Sequence, residues 1–488
     1  MKLRDLFVGL EIEKTNLETL DIIVTDIETD SRRVREGVAF ICLIGEHSDG
    51  HDYIVSARES GASVIIAQTE SELLLSGPYV LVKSTRRADS FMHDNLFENP
   101  TKDMSIIAVT GTNGKTSVTH MLKAIFDSAG EKTGLVGTIK NIIGTEEITS
   151  EMTTPNPREL YGLFAKMREA EVRYVFMEAS SHALEYEKLA PVTPEIGIFT
   201  NLTPEHLDFH GTMENYAAAK AKLFAMSRRN IINADDEWGS FMYEHAAGEK
   251  MYYSANGNTP FVAQNIVNHK TDGVEYYLVS DNDAVHVRCM IPGSFTVYNT
   301  LCAAAAGILC GISGSQIAIA LRSLSGVAGR MERVILDEAD ISVFVDYAHT
   351  PDALENVLNS VRSFKTPDER LTVVFGCGGD RDKVKRPVMG KIATTLADNV
   401  IITSDNSRTE DPNAIINDIL VGVLPNSSYT TIVGRVDAIN YAIKNAQSGE
   451  IILVTGKGHE DYEINATGKH AFSEKQVIRD AFAKYRSE

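Results

Sequence analysis

Residues 111–117 read GTNGKTS, between the apolar run SIIAV and the segment VTHMLKAIF. A glycine-rich turn joining a strand to a helix puts backbone N–H groups and the positive end of the helix on phosphate oxygens. Gly111, Thr112, Asn113, Gly114, Lys115, Thr116 and Ser117 are therefore candidate nucleotide contacts. Lys115 has the reach for β- and γ-phosphates, and Thr116 has the hydroxyl that such loops place on Mg²⁺. The full Walker pattern needs glycine at position 109, where this chain has Val109, so by that template the match is partial.

Two further groups suit metal chemistry beside a phosphate loop. Glu178 stands at the end of YVFMEAS, and His206 lies in TPEHLDFHG just after IGIFTNL. A carboxylate and an imidazole at neighbouring strand ends are ligand types that can share a cation with phosphate oxygens. In NYAAAKAKLF, the spacing of Lys220 and Lys222 alone describes a solvated helix face.

These residues need a scaffold. SIIAVT, YVFMEAS, IGIFTNL and NIINADD alternate with helical segments, which predicts a mostly parallel sheet covered on both faces. After Lys115, Val118, Met121, Leu122, Ile125 and Phe126 recur at helical spacing, and Gly130 is placed to end the helix. Upstream, VAFICLIG and GASVIIA suggest a small α/β domain, with DNLFENPTKDMS as a linker. MYYSA, EYYLVS and VHVRCMI suggest antiparallel strands, and NTLCAAAAGILCG a closely packed helix. From ISVFVDYAHT onward a further α/β unit is expected, with strands LTVVFG, NVIITS and IILVTG followed by CGGDRD, DNSR and KGHE. In open α/β sheets ligands bind beyond such strand ends.

The chain has 488 residues, which predicts several domains. With 47 basic and 67 acidic residues its net charge is −20, against general binding of nucleic acid or anionic membranes. No stretch has the apolar length of a membrane span, and the N-terminus lacks a secretory pattern, so membrane insertion is not expected and a cytoplasmic location is. Cys42, Cys289, Cys302, Cys310 and Cys377 are scattered without CxxC spacing, as for reduced thiols.

Together these segments resemble the Mur ligases, ATP-dependent amide ligases of peptidoglycan precursor synthesis. TGTNGKTS, EASSH, LTPEHLDFHG, YAAAKAKLF, YNTLCAAAA, GRMERV and DYAHTPDAL look like family segments in family order. The resemblance implies three α/β domains: 1–99 for the UDP-substrate, 100–334 for ATP, with a P-loop-type, mostly parallel sheet, and a Rossmann-like 335–488 for the amino acid. It implies ATP and Mg²⁺, an acyl-phosphate intermediate and a monomer. Thr116, Glu178, His206 and Lys220 would be metal ligands, with Lys220 carbamylated, and Lys115, Lys220 and His206 the catalytic set. Asn299, Arg330 and Asp346 match nucleotide contacts, while Ser31, Thr153, Thr154, Ser180 and Lys188 match contacts to a UDP-muramoyl dipeptide.

Within the family, TDSRRVREGVAF, GEHSDGHDYI, GCGGDRDKVKRP, SDNSRTEDP and GKGHEDYE are similar to the member that joins meso-diaminopimelate to UDP-N-acetylmuramoyl-L-alanyl-D-glutamate. Arg408 offers a fork for the distal carboxylate and Glu460 a partner for the ammonium. Arg381, Asp405, Asn406, Ser407 and Gly456 complete this amino-acid site by resemblance. The chain departs from the family pattern at Ser407 for Pro, Lys188 for Arg, Tyr186 for Gln, Thr296 for Asn and Ala328 for Pro. The alternatives are a divergent ligase of specialised metabolism, joining another amino acid or another carboxylate, and a nucleotide-binding regulator without ligase activity.

Overall fold

The computed structural model describes residues 1–45, 48–257, 259–280, 283–324 and 326–486. Glu46 and His47 of the GEHSDGHDYI segment lie outside them. The chain divides into two compact units, residues 1–115 with 130–251, and 116–129 with 252–488.

The first unit holds two sheets. One has five strands in the order Lys14–Thr15, Tyr79–Leu81, Val64–Ala67, Val38–Ile41, Asp26–Glu28. Its first pair is antiparallel and the rest are parallel. VAFI and VIIA are buried along their whole length, as expected of strands covered on both faces. In the other sheet Ser105–Thr110 lies between Tyr174–Glu178 and Ile196–Phe199, all parallel. Arg229–Asn233 and Thr133–Val136 extend it in parallel. Lys140–Ile143 and Glu146–Thr149 then turn back antiparallel. The expected linker is instead structured: the helix Thr85–Leu96 runs into it, and Pro100–Asp103 forms a short 3-10 turn. Ser84 and Ser90 hydroxyls donate to the Glu187 carboxylate and carbonyl at 2.5 and 2.8 Å, and Arg158 pairs with Asp26, tying the two sheets together.

In the second unit the helix Lys115–Ser128, from Thr116 onward, buries Val118, Met121, Leu122, Ile125 and Phe126, the stripe the spacing predicts. Gly130 follows with φ +84°. Phe261–Asn268, Val274–Ser280 and Asp283–Cys289 form an antiparallel meander. The MYYSA strand differs from expectation, because Tyr253 and Ser254 pair in parallel with Phe261 and Val262. The alanine-rich helix, Phe295–Leu309, is buried, and a Cβ at Gly307 would stand 3.2 Å from both Ile125 and Ile317. Small residues are what allow that approach.

The last sheet has six strands, ordered Glu332–Val334, Ser342–Asp346, Ile451–Thr455, Leu371–Phe375, Asn399–Ile402, Tyr429–Thr431. All neighbours are parallel except the first pair. Ile451–Thr455, Leu371–Phe375 and Asn399–Ile402 are adjacent, so the three polar clusters that follow them share one edge. All five cysteines are free thiols. Among the described residues no helix is long and apolar enough to cross a membrane.

Candidate active site

The phosphate loop leaves Ser105–Thr110, an interior strand of its sheet. Gly111 and Gly114 take φ +150° and +91°, and a Cβ at Gly111 would run into Thr200 Oγ1. The chain after Ile196–Phe199 clamps the loop. Thr112 N donates to Asn201 O at 2.9 Å and Asn113 N to Asn201 Oδ1 at 2.9 Å, while Thr200 Oγ1 donates to Asn113 O at 2.6 Å. Lys115 Nζ folds over the loop, donating to the Gly111 and Thr112 carbonyls at 2.9 and 2.8 Å. Thr116 and Ser117 open the following helix.

Lys220 is not on a solvated face. Its side chain is 1% exposed, and its Nζ donates to Gly111 O at 2.8 Å. Burial, then the Lys115 charge, push its pKa far below that of an ordinary lysine. Lys222, two residues on, is exposed and pairs with Glu185 at 2.6 Å. Tyr216, one turn before Lys220, completes the corner. Its hydroxyl is 3.3 Å from Thr112 Oγ1, and Lys220 Nζ lies 4.5 Å from its ring centroid. His206, at φ +56°, packs its half-exposed ring against His182, centroids 4.9 Å apart. Burial followed by the Lys115 and Lys220 charges lowers its pKa, against the opposing pull of Glu205. His210 is buried, within 3.0 Å of Ser181 Oγ, with its pKa lowered to about 4 by burial and then by His182.

Glu178 is fully buried at its strand end. Its two carboxylate oxygens accept from Thr138 N and Oγ1 at 2.8 and 3.0 Å. Thr138 Oγ1 is 3.0 Å from Thr153 Oγ1, and Thr154 Oγ1 donates to the Glu178 carbonyl at 2.7 Å. Ser180 N donates to Thr154 Oγ1 at 3.2 Å, and Lys188 Nζ to Thr154 O at 3.1 Å. Four of the expected substrate contacts therefore form one network with the expected metal ligand. Lys188 and Ser31 both line a cavity of about 940 Å³, along with Phe40, Arg86, Asp89, His182 and Tyr186. Arg86 lies 3.6 Å over the Tyr186 ring, so the Gln-to-Tyr departure has a cation–π partner. Among the described residues no three His, Cys, Asp or Glu side chains gather as a metal site.

In the second unit Asp346 is buried at the end of Ser342–Asp346. Its oxygens accept from Met331 N and Ala348 N at 2.7 and 2.8 Å. Burial raises its pKa, and Arg330 opposes the rise. Arg330 stacks 5.3 Å from the Tyr347 ring centroid, and its buried Nε has no hydrogen-bond partner among the described residues. Asn299 is buried within its helix.

The three C-terminal clusters meet. Asn406 Nδ2 donates to Glu460 Oε2 at 2.9 Å, and Arg408 Nη1 to Gly379 O at 2.8 Å. Arg408, at φ +51°, also approaches Asn406 O with Nη1 at 3.4 Å and has no ion pair among the described residues. Arg381 is exposed, donating to Asp380 O at 3.2 Å. Ser407 is buried, its carbonyl packed where a Cβ at Gly379 would stand. Burial raises the Glu460 pKa, with Asn406 opposing. At Asp405 burial works upward, but Arg435 and then Lys457 outweigh it and hold the carboxyl below its usual range. Gly456 takes φ +119°, and a Cβ there would strike the Asp405 carboxylate.

Lys457 escaped the sequence reading. It is fully buried, donates to Asn406 Oδ1 at 2.7 Å and lies 3.4 Å from Asp405. Its place inside KGHE, three residues before Glu460, was the available signal. Tyr216 was also missed, though its four-residue spacing from Lys220 puts both on one helix face. Thr138, Asn201 and Arg86 carried no signal in the chain.

Comparison with known proteins matches three family models in chain order. The Mur ligase family catalytic domain matches residues 23–96, the Mur ligase middle domain 109–307 and the Mur ligase glutamate ligase domain 329–458. A UDP-N-acetylmuramoyl-L-alanyl-D-glutamate–2,6-diaminopimelate ligase of Clostridioides difficile is 43% identical over 490 residues, 99% of this chain and 100% of its own. One of Clostridium botulinum is 43% identical over 461 residues, 94% and 95% of the two chains. A solved structure of a ligase of that name superposes with a TM-score of 0.72 at 30% identity, covering 100% of both chains.

Proposed function

Since the chain belongs to the Mur ligase family, we propose that it joins meso-diaminopimelate to UDP-N-acetylmuramoyl-L-alanyl-D-glutamate, with ATP as the energy source, in peptidoglycan precursor synthesis. The observation that carries the amino-acid assignment is Arg408, a guanidinium at the edge of the C-terminal sheet with no acidic partner among the described residues. A planar fork suits a second carboxylate, which diaminopimelate has and lysine lacks. Glu460 is the acceptor for the distal ammonium.

The γ-phosphoryl group of ATP passes to a carboxylate of the UDP-substrate, giving an acyl phosphate and ADP. The neutral amine of the amino acid attacks the acyl carbon to form the N–C bond; from the tetrahedral intermediate the acyl C–O bond breaks, phosphate leaves with its electron pair, and the nitrogen gives up a proton. The loop amides and Lys115 meet the charge on the transferring group. Asn299, Arg330 and Asp346 are read as nucleotide contacts. Lys220, buried and disfavoured as an ammonium, is an amine whose lone pair attacks CO₂, forming an N–C bond and releasing a proton. The resulting carbamate, with Glu178 and His206, would hold Mg²⁺, which neutralises phosphoryl charge when bound. Ser31 and Lys188 bind the UDP-substrate in the large cavity, and Thr153, Thr154 and Ser180 position it.

Phosphate release tests the reading. It is expected only when ATP, the UDP-muramoyl dipeptide and an amino acid are all present, with meso-diaminopimelate preferred over L-lysine. Release independent of the UDP-substrate, or a preference for L-lysine, overturns it.

A further inference from the structure

The helix Thr85–Leu96 buries an unusual face. Of its eight buried residues only Ala88 and Met92 are apolar; the others are Thr85, Asp89, Ser90, His93, Asp94 and Asn95. Buried polar side chains are ordinarily satisfied. Thr85 is bonded to Gln68, Ser90 to Glu187 and Asn95 to the Leu6 and Val8 carbonyls. Asp89 Oδ1, His93 Nε2 and Asp94 Oδ1 are not: each is buried without a hydrogen-bond partner among the described residues, and of the three residues Asp89 and His93 line a cavity.

In the neutral ring the geometry sets what the Asp89 and His93 atoms offer. His93 Nδ1 lies 2.9 Å from the Asp89 carbonyl and 3.0 Å from Asp89 Oδ1, both acceptors, so Nδ1 carries a proton. In the neutral ring Nε2 is then an acceptor, and Asp89 Oδ1 is another. The two residues line a side cavity of about 220 Å³. Asp89 also lines the large cavity that Ser31 and Lys188 line, and Asn156 and Pro157 border both spaces. The cations of the side cavity are already engaged, Arg158 with Asp26 and Arg33 with Glu28. The free valences are acceptors, which repels a phosphate and suits an N–H or O–H donor.

We propose that Asp89 and His93 form an acceptor subsite of the UDP-substrate cavity, which takes an N–H or O–H donor group of the UDP-muramoyl dipeptide and so helps to select that substrate. This rests on the proposed function. Leaving Nε2 without a partner, and Oδ1 with only the nearby Nδ1–H that already bonds the Asp89 carbonyl, costs folding free energy, and a bound donor recovers it.

The test pairs binding with stability in the full chain. Asp89→Leu and His93→Leu remove the acceptors, while Asp89→Asn keeps one amide oxygen. The leucine variants are expected to raise the Kd and KM for UDP-N-acetylmuramoyl-L-alanyl-D-glutamate about tenfold or more. The KM for ATP and for the amino acid should stay unchanged, and the thermal midpoint without ligand should not fall. Asp89→Asn should be intermediate. An unchanged Kd in the leucine variants, as for a pair that holds only a water molecule, overturns the subsite and leaves the proposed function standing. So does a raised Kd accompanied by a lowered midpoint and raised KM for all substrates, which marks a structural role. A parent protein that does not bind the UDP-muramoyl dipeptide removes both readings.

Discussion

Lys115 and Lys220 both donate to one oxygen, the Gly111 carbonyl, at 2.9 and 2.8 Å. Burial first, and then the charge of Lys115 beside the same acceptor, disfavour the Lys220 ammonium and lower its pKa. The proposed carbamylation would relieve the conflict by turning a cation into an anion beside Lys115. ¹³C-bicarbonate labelling should therefore show a carbamate at Lys220 and none at Lys222. Lys220→Ala should lower turnover about 100-fold or more, the scale of losing one electrostatic group at a phosphoryl site. Lys222→Ala should change it less than twofold, because the Glu185 pair is exposed and such pairs contribute little. Equal losses in the two variants would remove Lys220 from the catalytic set. Arg408 makes its own prediction. Arg408→Lys should already raise the KM for meso-diaminopimelate, since an ammonium is no planar fork, and Arg408→Ala should raise it about 10- to 100-fold, the range of a charge-assisted hydrogen bond. L-Lysine kinetics should shift little in either variant. Parallel losses for both amino acids would show that Arg408 does not read the distal carboxylate.

At the scale of elements, strands that end in glycine or polar clusters positioned most of the site. The phosphate loop was legible because a strand, two glycines, a lysine and a helical stripe stand in unbroken order along the chain. The three C-terminal clusters were legible for the same reason, and parallel pairing brings them to one edge. Burial was not legible: Lys220 and Lys222 have the same type and nearly the same local sequence, and only the packing of their helix separates them. The polar inner face of Thr85–Leu96 was hidden likewise, because composition alone describes it as a solvated helix. The direction of the MYYSA strand was also hidden, since alternation of side chains does not encode it. The loop itself can be tested as an element. Gly111→Ala combines a positive φ with a Cβ driven into Thr200, so it should displace the clamp and lower ATP-dependent turnover at least tenfold with the secondary structure retained. Gly130→Ala is the control, since its φ is also positive but nothing lies within 4 Å of the added Cβ. It should cost about 1–2 kcal/mol of stability and spare KM for ATP. Normal turnover by the Gly111 variant would mean that the loop geometry is not what binds phosphate.

For the molecule as a whole, the same buried helix sets a pH dependence of stability. Asp94 is 5% exposed, with an unpartnered Oδ1, and burial raises its pKa to about 6, against the opposing pull of Lys102. In the unfolded chain an aspartate titrates near 4. Below that pH both states are protonated and the group is neutral to stability. Between about 4 and 6 the unfolded chain has lost its proton while the folded chain keeps it, so each rise in pH lowers stability. Above about 6 the loss is complete and stays constant. A shift of about two units corresponds to at most about 3 kcal/mol. This is the reverse of the usual paired carboxylate, whose contribution disappears on acidification. Asp94→Asn removes the titration while nearly conserving volume. Its thermal midpoint should lie at or slightly below the parent's at pH 4, rise relative to it progressively up to pH 6 and hold a constant difference at pH 7–8. The added amide donor, in a site with no acceptor assigned to it, makes the gain smaller than the limit. Trp238, the one tryptophan of the chain, lies in the same compact unit as Asp94 and reports that unit's unfolding by fluorescence. That matters because a chain with two units need not melt in one step. A variant whose midpoint differs from the parent's by the same amount at pH 4 and pH 8 would show that Asp94 does not titrate between folded and unfolded states, and that its burial is compensated by groups other than Lys102.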